Sequence, residues 1–283
     1  MERRVFKKGS TSFYFSSLLF PKQARRGVFE LYSFLRVADD YVDNSPDQPD
    51  KRQNMIDLWN AAKTDPEFST LRKKEDTTNQ RAVKNIIRLQ RKLDFETEWI
   101  DKFLKTMQSD LDFKQPKNLV ESLKYCEGSA EVVGLMMSRI LGLPKQYDEQ
   151  AKMLGRAFQW VNFIRDIDED SRLGRIYFPK SDLQKSGLKE LSKTTAHQNP
   201  ERFERFIEFQ ANRYKEWRDQ AKKAFPHIPK RQRLPLEVAT RLFDWTIEQI
   251  INDPSVVYRQ KVKPSKIQTG FFVFNRIQSV YFK

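Results

Sequence analysis

The chain has 283 residues, of which 39% are apolar and 22 are phenylalanine, enough for a sizeable hydrophobic core. Its single cysteine, Cys126, excludes an internal disulfide and fits a reducing cytoplasm. The sequence shows no secretory leader and no apolar run long enough to span a bilayer. We therefore expect a cytoplasmic protein that is soluble or rests peripherally on a membrane surface.

The formal net charge is +14 and the sequence pI is about 9.7. Such a basic balance is typical of proteins that bind nucleic acid, an anionic membrane surface or small anionic substrates. Ordinary solvated lysine and arginine side chains explain it equally well. Charge alone decides nothing about function.

Glycine is scarce, and alternating β-branched patterns are rare, whereas helical periodicity recurs along most of the chain. We predict an all-α protein in a single domain over residues 1–283, because no Gly/Ser-rich or Pro-rich linker divides it and no fixed-period repeat appears. The predicted helices are Ser10–Ser17, Lys22–Asp43, one or two within Lys51–Lys74, Asn79–Leu93, Thr97–Ser109, Asn118–Gly142, Asp148–Asp170, Pro200–Phe225 and Leu234–Ile251.

One of these helices carries an unusual polar face. At helical period, Gln159, Asn162, Asp166 and Asp170 follow one another at about one turn, opposite an apolar stripe. Carboxylates so close together repel one another unless a cation lies between them. Carboxylate oxygens together with substrate phosphates are what Mg²⁺ takes as ligands, so this face predicts a metal site.

A second acidic pair closes the helix Lys22–Asp43. Asp39 and Asp43 stand four residues apart, with Arg36 one turn earlier. Taken alone, this pair is typical of a solvated helix end, although acids at a helix C-terminus oppose the macrodipole. Two such pairs facing each other across a bundle would hold several Mg²⁺ ions and clamp a diphosphate, which is Lewis-acid catalysis.

The ordered set of motifs resembles the squalene/phytoene synthase family, the head-to-head prenyl transferases, over about residues 10–262. The set includes small residues in the helix Asn118–Gly142 and a later segment that ends at Pro179. The residues that carry the resemblance are Gly9–Phe13, Phe20–Pro21, Arg25–Arg26, Leu31–Asp43, Tyr125–Cys126, Ala130, Val133–Gly134, Asn162–Asp166, Glu169–Asp170, Arg172 and Gly174–Pro179.

The resemblance implies an isoprenoid-synthase helical bundle around a deep central cavity, and a 1′–1 condensation of two prenyl diphosphates through a cyclopropyl diphosphate. It also implies Mg²⁺, with Mn²⁺ as the alternative, and a set of site residues. The implied metal-binding residues are Asp39, Asp43, Asn162, Asp166 and Asp170; Tyr125 would lie near the reacting carbons; and the implied substrate-binding residues are Ser10, Ser12, Phe13, Ser17, Arg36, Ala130, Val133, Gln159, Arg165, Arg175 and Tyr177.

Substrate length depends on bulk along the cavity wall. Phe13 and Ser17 share a helix face, and the small Ser17 favours two geranylgeranyl diphosphates and the product phytoene, whereas Phe29 favours two farnesyl diphosphates. The farnesyl alternative gives dehydrosqualene, squalene or presqualene diphosphate. No dinucleotide fingerprint appears, so we expect no NADPH requirement. Where the family often has a late cavity-facing tyrosine, this chain has Phe243 or Trp245.

Three other interpretations stay open. A non-catalytic basic binding protein explains the charge but makes no use of two acidic pairs, and a head-to-tail prenyl transferase or a cyclase fits the later motifs poorly. We expect no nucleic-acid partner and a monomer or weak homodimer. The aromatic, basic tail Ser265–Lys283 is typical either of a last helix packed on the bundle or of one in a membrane interface.

Overall fold

The computed structural model describes residues 16–43, 49–65 and 78–281, with side chains for all of these except 40–43, 49–55 and 281. Within these ranges the regular structure is helical and contains no β-strand, which confirms the predicted all-α class. In chain order the α-helices are α1 Lys22–Asp43, α2 Pro49–Lys63, α3 Thr78–Leu93, α4 Thr97–Ser109, α5 Leu119–Cys126, α6 Val132–Ile140, α7 Asp148–Arg165, α8 Ile167–Arg172, α9 Lys180–Lys185, α10 Lys193–Gln198, α11 Pro200–Lys222, α12 Lys230–Asn252 and α13 Lys266–Tyr281.

Helix α7 is the central element of the bundle. Its buried stripe, formed by Trp160, Val161 and Ile164, is fully covered by neighbouring helices, chiefly α11. Helices α6 and α12 pack against other parts of α7. The apolar residues recur at the spacing of one helix face, and burying that face removes large side chains from water. The remaining polar face of α7 is therefore turned away from this core.

Glycines allow α7 to lie very close to the helix that precedes it. A Cβ on Gly134 would stand 2.2 Å from the carbonyl oxygen of Ala151, and one on Gly155 would stand 2.3 Å from that of Ala130. Both distances are far inside van der Waals contact with backbone, so only glycine fits at either position.

The predicted helix Asn118–Gly142 consists of two α-helices joined without a break by a π-helical segment, and the three together form one rod. Helix α5 passes directly into a π-helical segment, Glu127–Glu131, and then into α6. Asn118 caps the start, accepting a hydrogen bond from the backbone N–H of Glu121. A π turn inside an α-helix widens one turn and is common at functional sites. Here the π-helical segment contains Ala130, one of the residues that the family resemblance implies for substrate binding.

The prediction of one helix over Asp148–Asp170 is wrong at its end. The α-helix stops at Arg165, Asp166 adopts φ −100° and ψ 17°, and α8 starts at Ile167. Four acids at the C-terminus of a single helix would oppose its macrodipole. The break instead places Asp168, Glu169 and Asp170 in the first turn of α8, where the dipole favours negative charge.

The other differences concern helix ends and short helices. Helices α1 and α4 match their predicted ranges, and α3, α11 and α12 differ by a few residues at their ends. Helix α12 begins four residues early and contains Pro235. Helices α9 and α10 were missed, because six residues are fewer than two turns and show no period. The predicted helix Ser10–Ser17 and residues 66–74 fall largely outside the described residues.

The C-terminal helix α13 packs on α12, as one of the two interpretations of the tail expected. Val280 of α13 is buried with Leu234, Val238 and Leu242 of α12. Among the described residues, no helix is both long enough and apolar enough to cross a membrane.

Candidate active site

A cavity of about 640 Å³ lies inside the bundle, within the usual size range of small-molecule sites. Helices α1, α4, α6, α7 and α12, the π-helical segment and the stretch 261–263 contribute to its lining. Charged side chains gather at one end, and the rest of the lining is mostly apolar. The residues at the charged end are Arg36, Asp39, Arg165, Asp166, Glu169, Asp170, Arg175, Lys261 and Lys263.

Helix α1 supplies one wall of the charged end. Arg36 Nη1 stands 2.9 Å from Asp39 Oδ2, and both side chains line the cavity. Their side chains are 31% and 44% exposed, so this wall is open to solvent. The structure therefore places Arg36 and Asp39 where the sequence predicted them. Asp43 is the last residue of α1, and its side chain lies outside the described part of the chain.

Helices α7 and α8 supply the opposite wall, which is more enclosed. Arg165 donates to Asp166, with Nε 2.9 Å from Oδ1, and these side chains are only 22% and 16% exposed. Lys261 reaches the same carboxylate at 3.4 Å and Glu169 Oε2 at 2.7 Å. Burial raises the pKa of the Asp166 carboxyl, but Arg165 and Lys261 outweigh that effect and hold this pKa below its ordinary value. Asp166 is therefore a carboxylate at neutral pH.

The amides predicted on α7 lie beside these acids. Asn162 Nδ2 donates to Gln159 Oε1 at 3.2 Å, and both side chains line the cavity. The backbone continues the helical ladder across the break, because the Asp166 N–H donates to the Asn162 carbonyl at 2.9 Å. The predicted polar face of Gln159, Asn162, Asp166 and Asp170 thus survives the interruption of the helix and points into the cavity.

A tight turn after α8 brings in the next predicted residues. Gly174 has φ +73°, a conformation that favours glycine, and it closes the helix end. The Arg175 N–H then donates to the Asp170 carbonyl at 2.9 Å, and Arg175 lines the cavity while being only 9% exposed. A guanidinium so enclosed beside carboxylates is placed to bind an anion that enters the cavity.

Aromatic rings adjoin the charged end. Tyr177 stacks on Phe163 at a centroid distance of 4.6 Å and contacts Tyr125 at 4.7 Å. Tyr125 donates its phenol to Asp110 Oδ2 at 2.6 Å. Burial, with Tyr177 and Asp110 adding to it, raises the pKa of Tyr125 well above its ordinary value, so the phenol stays protonated. Burial likewise raises the pKa of Tyr177. These faces can shelter positive charge from water.

Two residues at this site were not assigned from the sequence. Asp110 directly follows α4; it is buried, lines the cavity and accepts the hydrogen bond of Tyr125. For the basic stretch Tyr258–Val262, the sequence did not show which cation faces inward. Lys261 lines the cavity, whereas Arg259 does not line it and pairs with Asp253.

Only some of the remaining predicted residues line the cavity. Ala130 and Val133 line the cavity, and Phe243 does so too, stacked on Phe158 at 4.2 Å. Trp245 is absent from the lining. Ser17 is fully buried and is not among the lining residues, and Phe29 packs with Phe20 and Val28 instead. Ser10, Ser12 and Phe13 lie outside the described residues.

The far part of the cavity is apolar, with polar exceptions. Ser138 stands thirteen residues beyond Tyr125 on the same rod, roughly 20 Å along the axis. Ser138 Oγ and Gln150 Oε1 line this part of the cavity and have no hydrogen-bond partner among the described residues. Leu141, Leu143 and Ile228 lie in the same lining. A long apolar chain would find mostly apolar contacts here.

The donor set at the charged end fits Mg²⁺ in its chemistry. Asp39, Asn162, Asp166 and Asp170 offer carboxylate and amide oxygens toward one cavity from two walls. Within the described side chains, no three acids, histidines or cysteines converge into a complete metal cage. Mg²⁺ usually keeps waters and takes substrate phosphates as ligands, so two separated walls suit a site that a diphosphate completes.

Comparisons with known proteins identify the family to which the chain is similar. A family model described as squalene/phytoene synthase matches residues 6–268. The chain is 33% identical over 183 residues to a presqualene diphosphate synthase of Rhodopseudomonas palustris, covering 63% of this chain and 61% of that one. It is 30% identical over 194 residues to a phytoene synthase of Thermus thermophilus, covering 65% and 60%. The matches thus span about three fifths of these relatives' length.

Solved structures resemble the fold. A dehydrosqualene synthase in complex with a ligand gives a TM-score of 0.73 at 22% identity, covering 100% of this chain and 96% of that one. A squalene synthase from Alicyclobacillus acidocaldarius gives 0.70 at 22% identity, covering 93% and 94%. At this identity the likeness shows a shared fold, the helical bundle around a cavity that the sequence predicted.

Proposed function

Because the chain belongs to the squalene/phytoene synthase family, we propose that it joins two prenyl diphosphates head to head, through a cyclopropyl diphosphate. The observation that carries this proposal is one cavity with two acidic walls at its charged end and an apolar remainder. The acidic walls suit a diphosphate bound through Mg²⁺, and the apolar remainder suits a prenyl chain. A non-catalytic basic binding protein would need neither.

Asp39, Asp166, Asp170 and Asn162 are the described residues that would hold Mg²⁺, and Asp43 is the predicted further ligand. When bound, Mg²⁺ supplies Lewis-acid neutralisation of the charge on a departing diphosphate. Lys261 contacts Asp166 at 3.4 Å and Arg175 lines the same cavity, and both would bind diphosphate oxygens directly. The low pKa of Asp166 keeps it a carboxylate without any metal present, so it is ready to bind a cation.

The aromatic residues would protect the reacting carbons. Loss of diphosphate leaves an allylic cation that water would quench, so the reaction needs a dry site with π-faces. Tyr125, Phe163 and Tyr177 form a packed group at the inner edge of the charged end. The Tyr125 phenol is fixed by Asp110, which orients its ring. Burial raises its pKa, so it stays a phenol that donates to Asp110.

For the substrate, we propose geranylgeranyl diphosphate and the product phytoene. The small side chain of Ser138 lines the far half of the cavity and leaves room for a long tail. This supports the same preference that Ser17 suggested, through a different residue. The alternative is two farnesyl diphosphates, and relatives named for each product occur among the matches.

The test is product analysis with purified protein. The C15 and C20 diphosphates are offered separately with Mg²⁺ and without NADPH, and hydrocarbons are extracted and identified. We expect a C40 hydrocarbon with a triene chromophore from the C20 substrate, abolished by EDTA and by Asp166→Asn. A C30 product, or a cyclopropyl diphosphate from the C15 substrate, would overturn the chain-length assignment and leave head-to-head transfer standing. No metal-dependent turnover of either would overturn the proposal.

A further inference from the structure

Helix α13 presents a row of large apolar side chains to solvent. Ile267 is 86% exposed, Phe271 60% and Phe274 58%. Their spacing of four and three residues places all three on one face of the helix. The other exposed large apolar residues, such as Val120 and Phe209, are scattered singly over the described surface. A contiguous apolar row on a soluble surface costs free energy unless something covers it.

The opposite face of α13 holds the helix firmly on the bundle. Phe272, Val273 and Ile277 pack on the cluster formed with α12, and Arg276 pairs with Glu237 of α12 at 2.9 Å. At the start of the helix, Gln268 and Ser265 bond reciprocally, with the Gln268 N–H donating to Ser265 Oγ and Gln268 Oε1 accepting from the Ser265 N–H. The exposed row is therefore presented by an anchored helix rather than by a loose tail.

The charge around this row has one sign. Between Pro254 and Lys283 the sequence contains six lysines and arginines and no acidic residue. Arg259, Lys261 and Arg276 pair with acids elsewhere in the bundle. Lys263 and Lys266, at the start of α13, are exposed and form no ion pair among the described residues. An apolar row flanked by free positive charge complements an anionic bilayer, where acyl chains meet acidic headgroups.

The surface also adjoins the cavity. Lys263 lines the charged end, and α12, on which α13 lies, contributes Leu242 and Phe243 to the lining. The family model stops matching at residue 268, so most of α13 lies beyond the matched region. Phe271 and Phe274 therefore lie outside the part of the chain that the family model matches.

We propose that the outer face of α13 docks on an anionic membrane, with Ile267, Phe271 and Phe274 among the acyl chains and Lys263 and Lys266 at the headgroups. The inference rests on the surface alone and does not depend on the proposed reaction. A second copy of the chain would need the same row to pair with itself across two positively charged flanks, which repel. A nucleic acid would gain nothing from the apolar row.

The test is flotation of the full chain, without substrate, on vesicles of phosphatidylglycerol mixed with phosphatidylcholine and on phosphatidylcholine alone. We expect binding to the anionic vesicles that weakens as salt is added. Phe271→Ser/Phe274→Ser should lower the partition coefficient by about tenfold or more, because two aromatic side chains no longer leave water. Lys263→Gln/Lys266→Gln should reduce binding to anionic vesicles only.

The matched control is Val120→Ser/Phe209→Ser, which removes two exposed apolar side chains far from α13 in sequence and should change binding less than about twofold. Circular dichroism checks that each variant is folded. Equal loss in the control, or unchanged binding in the α13 variant, would overturn the proposal. So would a wild-type chain that ignores vesicles but forms a dimer dissociated by Phe271→Ser/Phe274→Ser, since the row would then be an interface between copies. Turnover is measured in a separate assay on substrate dispersed in detergent, so that a failure of the proposed reaction is distinguished from a failure of membrane binding.

Discussion

The two walls of the charged end hold their carboxylates in different ways. On α1, Asp39 and Arg36 form a pair that is 44% and 31% exposed, so solvent screens the charges. On α7 and α8, Asp166 is 16% exposed and lies between Arg165 and Lys261. The α1 acid thus lies in a solvent-exposed ion pair, whereas the Asp166 carboxylate holds two cations in a partly desolvated place.

The largest expected effect follows from Asp166→Asn. Removing this charge should lower turnover at saturating Mg²⁺ at least about a thousandfold, because several kcal/mol of transition-state stabilisation depend on the metal. It should also lower the free energy of unfolding by about 2 kcal/mol, since Arg165 and Lys261 lose a charged partner. Steady-state kinetics and thermal melts measure the two effects. Near-normal turnover would remove Asp166 from the metal site.

Asp39→Asn makes the same change on the exposed α1 wall that Asp166→Asn makes on the enclosed wall. Turnover should fall about a hundredfold for the same reason, but the free energy of unfolding should change by less than about 1 kcal/mol, because the Arg36–Asp39 pair is exposed. Chemical denaturation of both aspartate variants without metal isolates the structural part. If Asp39→Asn were as destabilising as Asp166→Asn, the contrast between an open and an enclosed wall would be wrong.

The position of the α7 wall depends on its close contact with the preceding rod. Gly155→Ala would drive a methyl group to 2.3 Å from the Ala130 carbonyl oxygen, so the helices must separate. We expect a loss of about 2 kcal/mol in the free energy of unfolding, typical of overpacking. Gly270→Ala is the control, because nothing lies within 4 Å of a Cβ there; it should not destabilise the fold and, since alanine favours a helix over glycine, should stabilise it by up to about 1 kcal/mol. Equal effects of both changes would refute the close-packing argument.

Lys261 tests whether the enclosed wall also binds substrate. Lys261→Met removes a cation that contacts Asp166 and Glu169, and KM for the diphosphate should rise about tenfold, as for a lost charge-assisted hydrogen bond. Arg259→Met is matched in charge and nearby in sequence, yet Arg259 pairs with Asp253 outside the cavity, so its KM should change little. A rise in KM for Arg259→Met alone would reverse the assignment of the inward cation.

The smallest expected effect lies at the apolar end, away from both walls. Ser138→Leu fills space in the far lining of the cavity. Turnover of the C20 substrate relative to the C15 substrate should therefore fall about fivefold to tenfold, which is the discrimination expected when a pocket no longer accommodates a few methylene groups. Ser138→Ala keeps the space, and its ratio should match that of the unmodified chain. A competition assay with both substrates in the same reaction measures the ratio of C20 to C15 turnover. An unchanged ratio in Ser138→Leu would mean that the tail does not reach Ser138.

Local pattern was sufficient for most of the helices and for the charged end. The period of apolar residues in Lys22–Asp43 and Thr97–Ser109 predicted α1 and α4 at their observed bounds. The spacing of Gln159, Asn162, Asp166 and Asp170 predicted one polar face, and all four line the cavity. These successes share a cause, since a helix converts short sequence spacing into a shared face without help from the rest of the chain.

Contacts between distant segments were beyond such reasoning. Asp110 lines the cavity beside Tyr125 of another helix, and Lys261 lines it because the chain after α12 returns to α8. Ser17 shows the reverse error, since its small size suggested a place beside the tail, but packing buries it away from the lining. Size and polarity say what a residue can do, not what lies next to it.

The sequence by itself determined the all-α class, the two acidic helix ends and the family resemblance, because each depends on residue type and on spacing within one helix. Tertiary structure alone decided the break at Asp166, the inward direction of Lys261 and the outward row on α13. The physical reason is that burial and ion pairing are properties of two surfaces in contact. A periodic pattern specifies only one of those surfaces.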